Sequence, residues 1–235
     1  RLVDDGIIPR SMRFQVGLPT PLSVALFYVE QNSRTLFEKA YERALFAEIA
    51  RMLEYIPAEK LAIQWETVSE FALLEGLMQS HIDGDLMVEI TSRVAGLINS
   101  VPGGVEVGIH LCYGDSGHQH FCEPADAGYL ARVSAGVLDK ATRPIGWIHM
   151  PVPKERDDAD YFTPLAALDL PETTRLYLGL VHYTGGREGT QRRIQAASRV
   201  VSGFGVASEC GLGRRDPETM AALMRQHADV AGPVN

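Results

Sequence analysis

The sequence predicts a parallel α/β protein assembled from strand-then-helix units, and three observations predict it. Apolar runs of strand length recur along the 235 residues. Nearly every run is followed by a longer stretch with apolar residues at helical spacing. The strands themselves read as apolar throughout, the pattern of a parallel sheet covered on both faces. A doubly wound sheet and a (β/α)8 barrel share this alternation. No G-x-G-x-x-G follows a strand, so the dinucleotide-binding version of the first has no support.

The elements follow in order. "FQVGL" (14–18) reads as a buried strand, and "TLFEKAYERALFAEIARMLEYI" (35–56) sets Leu36, Tyr41, Leu45, Phe46, Ile49 and Leu53 near helical spacing. "LAIQW" (61–65) is a second strand with helical material running on to about Asn99, and "VEVGIHLCY" (105–113) is a third after the turn "PGG". "PIGWIHM" (144–150), "RLYLGLVH" (175–182) and "FGVASEC" (204–210) complete six strands. The helical "EGTQRRIQAASRVV" lies before the sixth, and "RRDPETMAALMRQHADV" forms the last helix, with Asp216 as N-cap and Pro217 in the first turn. "VPGGVEVG" and "HYTGGREGT" are glycine-rich without Walker spacing and read as turns.

Composition narrows the function classes. With 46% hydrophobic and 22% charged residues the chain lacks a disorder signature, and no apolar run approaches the roughly 18 residues of a membrane helix. A net charge of -8 with dispersed basic residues argues against a nucleic-acid partner, and an acidic substrate would need a local exception. Three widely spaced cysteines do not make a disulfide framework; free or metal-binding thiols in a reducing compartment fit better, so the expected location is cytoplasmic.

The residues with chemical potential fall at the carboxyl ends of the strands, where parallel α/β architectures place their active sites. Glu66 ends the second strand, His110 and Cys112 the third, His149 the fourth, His182 the fifth and Cys210 the sixth. His110 and Cys112 are two apart on a strand, so both side chains leave the same face and form a chelating pair. Cys210 from another strand end supplies a second thiolate, and a His-Cys-Cys set leaves open the fourth position of a tetrahedral zinc. A buried, hydrogen-bonded pair is the competing reading. His118 and His120, in "DSGHQHFCEP", read as a polar loop beside the site, and Cys122 as a buried thiol. "HMPVPKERDDADYF" (149–162), with Lys154, Arg156 and Asp157, reads as a solvated excursion.

"GIHLCYGD" followed much later by "FGVASECGLGRR" resembles the zinc-binding strands of the cobalamin-independent methionine synthase catalytic barrel. There a histidine-x-cysteine pair and a cysteine in a D-C-G-L-x-x-R context hold the metal. "LAIQWE" is similar to the family's I-Q-x-D-E strand, "VGLPTPLS" to its G-P-x-T segment, and "LYLGLVH" to the strand before its last helix pair. The likeness runs from about Phe14 to Arg215 and is strongest at His110, Cys112 and Cys210, with Gly211, Leu212 and Arg214 in register. It implies a (β/α)8 TIM-type barrel of the superfamily shared with uroporphyrinogen decarboxylase. On this reading residues 1–235 are one barrel domain, the C-terminal portion of a longer barrel whose first strands precede Arg1.

The resemblance implies zinc-dependent transfer of a methyl or other alkyl group involving a thiol, with Zn²⁺ held by His110, Cys112 and Cys210. Where the synthase has a glutamate as fourth ligand this chain offers His149, with Glu209 as the other candidate. His182 stands near the family's catalytic histidine and is expected to deliver a proton to the leaving group, and Glu66 to orient the substrate. Trp65 and Glu66 replace the carboxylate that grips the amino acid, which points to a substrate other than homocysteine; Trp65, Asp115 and Glu209 are the expected contacts to a small-molecule substrate. "SGHQHFCEPADAGY" is a longer loop than the synthase carries. No nucleic-acid or membrane partner is expected, and a homo-oligomer is compatible. Two alternatives keep the metal: a hydrolase, lyase or demethylase activating water, and a non-catalytic metal-binding barrel with a closed site. A metal-free decarboxylase would have no need for converging His110, Cys112 and Cys210.

Overall fold

In the computed structural model, which describes residues 2–208 and 210–232, six strands form one sheet in the order β1-β2-β3-β4-β5-β6, every neighbouring pair parallel. The strands are β1 Phe14–Pro19, β2 Leu61–Thr67, β3 Glu106–Leu111, β4 Trp147–Pro151, β5 Arg175–Val181 and β6 Gly205–Ser208. Parallel neighbours require a crossover between them. The helices supply it: α1 Pro21–Tyr28 and α2 Arg34–Leu53 after β1, α3 Ser69–Leu74 and α4 Leu86–Ser100 after β2, then α5 Gly128–Lys140, α6 Ala159–Phe162, α7 Gly186–Ser198 and α8 Pro217–Val230 after β3 to β6 in turn. This arrangement is consistent with part of a TIM-type barrel. The sheet is open, with β1 and β6 at its edges.

The two faces of the sheet differ. Leu61, Ile63 and Trp65 of β2, Val107, Ile109 and Leu111 of β3, Ile148 and Met150 of β4, and Leu176, Leu178 and Leu180 of β5 alternate along their strands and enter one core with Leu45 and Ile49 of α2, Val94 and Ile98 of α4, and Val133 and Val137 of α5. Side chains of this size each contribute about 1.5–3 kcal/mol by leaving water. The intervening residues face the other way and are polar: Gln15, Gln64, Glu66, Glu106, His110, Trp147, His149, Arg175 and Tyr177 line an open cavity of about 1130 Å³. The expectation of strands apolar on both faces is therefore corrected. One face is a helix-covered core and the other a polar concave wall, as in a barrel interior.

Close packing on the concave wall depends on small residues. A Cβ at Gly108 would overlap the Trp147 indole, so only glycine lets that ring lie across β3. From there Trp147 Nε1 donates to Gln64 Oε1 (2.8 Å) and Gln64 Nε2 to Glu66 Oε1 (2.8 Å). The helix starts follow local chemistry. Thr20 caps α1 by accepting from Ser23 N (3.1 Å), and Asp216 caps α8 by accepting from Glu218 N (3.0 Å), with Pro217 in the first turn as expected. α1 lies in a segment the sequence pattern left unassigned, and the short α6 corrects the reading of 149–162 as a solvated excursion, since its Tyr161 and Phe162 are buried in the core. Among the described residues no helix is long and apolar enough to cross a membrane.

Candidate metal centre

Parallel pairing sets the site's floor. Glu66, His110, His149 and Tyr177 are successive Cα partners across β2, β3, β4 and β5, so one level of the sheet carries a carboxylate and two imidazoles side by side. The end of β3 is tied down by Thr67, whose Oγ1 donates to the His110 carbonyl (3.1 Å) and whose carbonyl accepts from Cys112 N (2.9 Å). Cys112 follows β3 directly, and Cys210 lies two residues beyond β6. One ligand atom from each of His110, Cys112 and Cys210 lies within 4.8 Å of the other two, and the two sulfurs are 3.6 Å apart. Residues 98 apart in sequence thus meet at one point.

The loop after Cys210 explains the residues that accompany it. Gly211 has φ +79°, a left-handed conformation that favours glycine, and a Cβ there would overlap Asp115 Oδ2. A short 3₁₀ turn, Leu212–Arg214, then brings Arg214 back to pair with the Asp115 carboxylate. Asp115 belongs to the loop leaving Cys112, so this ion pair joins the two cysteine-bearing segments. Asp115 lines the cavity, as expected of a substrate contact, yet its carboxylate is engaged by Arg214 and lies 3.6 Å from His118 Nδ1.

Electrostatics mark the same spot. Both ring nitrogens of His110 are buried with no hydrogen-bond partner; the nearest carboxylate, Glu66 Oε2, is 4.0 Å from Nε2. Orphaned buried polar atoms are rare and call for a ligand. Burial alone would push the His110 imidazolium down, but the Cys210 sulfur and the Glu66 carboxylate outweigh it and hold the ring above its ordinary value. His149 stacks on His110 with ring centroids 4.3 Å apart, and burial together with the His110 charge pushes it well below the ordinary value. The neighbouring Cys112 thiol, and then burial, push Cys210 up. One imidazole, with its ring nitrogens unpartnered, and two sulfurs are a donor set that suits a borderline-soft cation, which would deprotonate the thiols.

The other expected residues are placed as follows. His149 lies beside the three-residue cluster rather than within it, and its Nε2 is buried without a partner. His182 is buried at the end of β5, with Nε2 donating to the Val152 carbonyl (2.8 Å). Glu66 lines the concave cavity. Trp65 does not reach it: β2 alternation sends the indole to the helix side, where it is fully buried against Phe46 at 6.0 Å between ring centroids. Glu209 lies outside the described residues.

A second cavity, of about 350 Å³, shares His110, His149 and Cys210 with the first. Its wall joins His110, His149, Cys210 and His182 to His118, His120, Cys122 and Lys154. His118 and His120, read from sequence as a loop beside the site, thus form part of its wall. The loop is folded back by left-handed Gly114, Gly117 and His118, a Ser116–Gln119 bridge, and Phe121 N donating to the Tyr113 carbonyl (2.8 Å). Of the charged excursion, Arg156 pairs with Asp158 and donates to the Ala125 carbonyl (2.6 Å), and Arg192 holds Asp157 (2.8 Å), so both pin the loop while Lys154 reaches the cavity.

No protein-family model and no curated protein matches the sequence. Among solved structures, the fold is similar to one described as a candidate vitamin-B12-independent methionine synthase from Listeria monocytogenes, with a TM-score of 0.56 and 19% identity over 93% of this chain. The chain spans 64% of that structure's length. The likeness extends to the fold: a methionine-synthase-like α/β architecture.

Proposed function

We propose that this chain is a zinc-dependent transferase that moves a methyl or other alkyl group to or from a small-molecule thiol, within a TIM-type barrel in a reducing compartment such as the cytoplasm. The observation that carries the reading is the convergence of His110, Cys112 and Cys210 at the carboxyl end of a parallel sheet, with both His110 nitrogens buried and unpartnered. Zinc, when bound, would lower the pKa of a substrate thiol so that its sulfur is nucleophilic at neutral pH.

His110, Cys112 and Cys210 would hold the ion, and a three-residue ligand set would leave a place for substrate. Glu66, tethered through Gln64 to Trp147, stands 4.0 Å from His110 Nε2, where its carboxylate acts on the ring through charge rather than a hydrogen bond and is free to orient the substrate. His149, stacked on His110 with its Nε2 unpartnered, would be the next residue to meet the ion or the substrate. His182, on the wall of the smaller cavity, supplies the proton for the leaving group. The Asp115–Arg214 pair keeps Cys210 in reach of Cys112.

A second reading, in which the metal activates water for hydrolysis or elimination, is favoured by the number of histidines on the smaller cavity. The test is metal content of the purified protein and of His110→Ala, Cys112→Ser and Cys210→Ser, followed by cobalt substitution. One metal per chain, lost in each folded variant, with a thiolate-to-cobalt band that grows when 2-mercaptoethanol is added, supports transfer. Metal binding in the variants would refute the ligand set, and turnover without any thiol would move the reading to water.

A further inference from the structure

Resting on the thiol-transfer reading, we propose that the Trp147 indole is an aromatic platform on the floor of the 1130 Å³ cavity, beneath the metal cluster, and that the thiol handled there carries a planar aromatic ring. The substrate class is then an arylalkane thiol, with an uncharged ring within a few bonds of its sulfur.

The register of the sheet defines the level at which the indole lies. Gly17, Gln64, Gly108, Trp147 and Arg175 are successive Cα partners across β1 to β5. Glu66, His110, His149 and Tyr177 occupy the level two residues nearer the carboxyl end, about 6.6 Å away at the rise of a strand. Barrel interiors are ordinarily filled by layers of bulky branched side chains. The level of Trp147 has none. Gly17 and Gly108 leave it open, and the indole is pressed flat on the wall, where a Cβ added to Gly108 would fall 2.1 Å from Trp147 Cε2. Gly108 is two residues before His110 on β3, so the flat ring lies directly under that ligand, partly exposed and facing the cavity.

The chemistry of this floor selects its occupant. Trp147 Nε1 already donates to Gln64 Oε1 (2.8 Å), and Gln64 Nε2 to Glu66 Oε1 (2.8 Å), so the polar edge of the indole is satisfied and it offers the cavity its π face. Among the described residues no aromatic ring pairs with that face and no Lys or Arg lies over it. An indole face attracts either a cation or a second ring. Arg175, the Cα partner of Trp147 on β5, lines the same cavity and opposes a cation there. Arg13, by contrast, is neutralised by Glu106 at 2.8 Å. An uncharged planar ring meets no such opposition and gains from offset stacking in addition to its burial. Glu66, at the far end of the bonded chain and one level nearer the metal, is left to the polar part of the substrate.

The test compares benzyl mercaptan with cyclohexylmethanethiol, similar in size but without a π face, on the zinc-loaded protein by calorimetry. Benzyl mercaptan is expected to bind about two- to tenfold tighter, the increment of an aromatic pair over burial alone. In Trp147→Leu, checked by circular dichroism and metal content, that preference should disappear. Wild type gives an independent reading should the variant not fold: the ring protons of bound benzyl mercaptan should show nuclear Overhauser contacts to the Trp147 indole and move its resonances upfield. Equal affinity of the two thiols in wild type, a preference kept in folded Trp147→Leu, or absence of those contacts overturns the proposal. Equal binding of both thiols at the metal would leave the thiol-transfer reading standing without the platform. If benzyl alcohol, which has no sulfur, contacts the indole while neither thiol binds the metal, the aromatic site stands and the thiol-transfer reading fails.

Discussion

Gly211 is the position where a single methyl group separates stability from metal binding. Gly211→Ala places a Cβ on a residue at φ +79°, which costs an L-residue about 1–2 kcal/mol. The methyl would also overlap Asp115 Oδ2, so the Asp115–Arg214 pair must open. Arg214 is 64% exposed, and solvent screening limits that loss to about 0.2–1 kcal/mol. The total is about 1–3 kcal/mol, and at roughly 2–4 °C per kcal/mol for a chain of this size the melting temperature should fall by roughly 2–12 °C. Metal affinity should suffer as well, because relieving the overlap moves the Cys210 sulfur away from Cys112. A displacement that weakens one of three ligands is expected to cost about tenfold or more, in line with the effect of altered support around metal ligands. Thermal melts of the metal-free protein and competition against a chromophoric chelator read the two effects separately. A Gly211→Ala protein that melts and binds metal like wild type would refute the reasoning that this glycine sets the Cys210 loop.

Three further outcomes follow from the same geometry. Glu66→Gln should weaken metal binding by less than about tenfold, because Glu66 acts on His110 through charge at 4.0 Å and makes no hydrogen bond to it, with circular dichroism unchanged; unaltered affinity in the chelator competition would remove Glu66 from this role. Ile109→Ala, at a fully buried position on the helix side of β3, should cost about 2–5 kcal/mol in denaturant unfolding, and a loss below about 1 kcal/mol would contradict the core assignment. Glu70 is buried and accepts from the Ser23 hydroxyl (2.7 Å) and Val68 N (2.9 Å), and burial holds its carboxyl above the ordinary 4.5. The folded state therefore keeps a proton that the unfolded chain has released, so its contribution to stability is present below pH 4.5 and is lost as pH rises through the raised value. Glu70→Gln should flatten that decline above pH 4.5, and equal slopes for the two proteins would exclude Glu70 as its source.

Much of the architecture was legible because parallel strand-helix units write a simple alternation. All six strands lie where the apolar runs are, and the carboxyl-end rule put His110, Cys112 and Cys210 together across 98 residues, since two residues of separation on a strand is a same-face relation. The same rule would have placed Trp65 correctly: it shares a face with Ile63, not with Glu66, and so belongs to the core. The polar wall was obscured because Gln15, Gln64 and Trp147 sit singly inside apolar runs, and alternation is hard to see in strands of five to seven residues. His118 and His120 were harder, because a loop has no periodicity to report its path. The signal available was the pair Gly114 and Gly117, whose left-handed turns fold "YGDSGHQHF" back over the site.

The central claim is that His110, Cys112 and Cys210 hold one zinc ion with a position left open. X-ray absorption at the zinc edge of the loaded protein tests it most directly. Two sulfur scatterers at about 2.3 Å are expected, with nitrogen or oxygen at about 2.0–2.1 Å completing four-coordination, and a third sulfur on adding a thiol substrate. A zinc environment of nitrogen and oxygen alone, or a sulfur count unchanged in Cys112→Ser and Cys210→Ser, would contradict it.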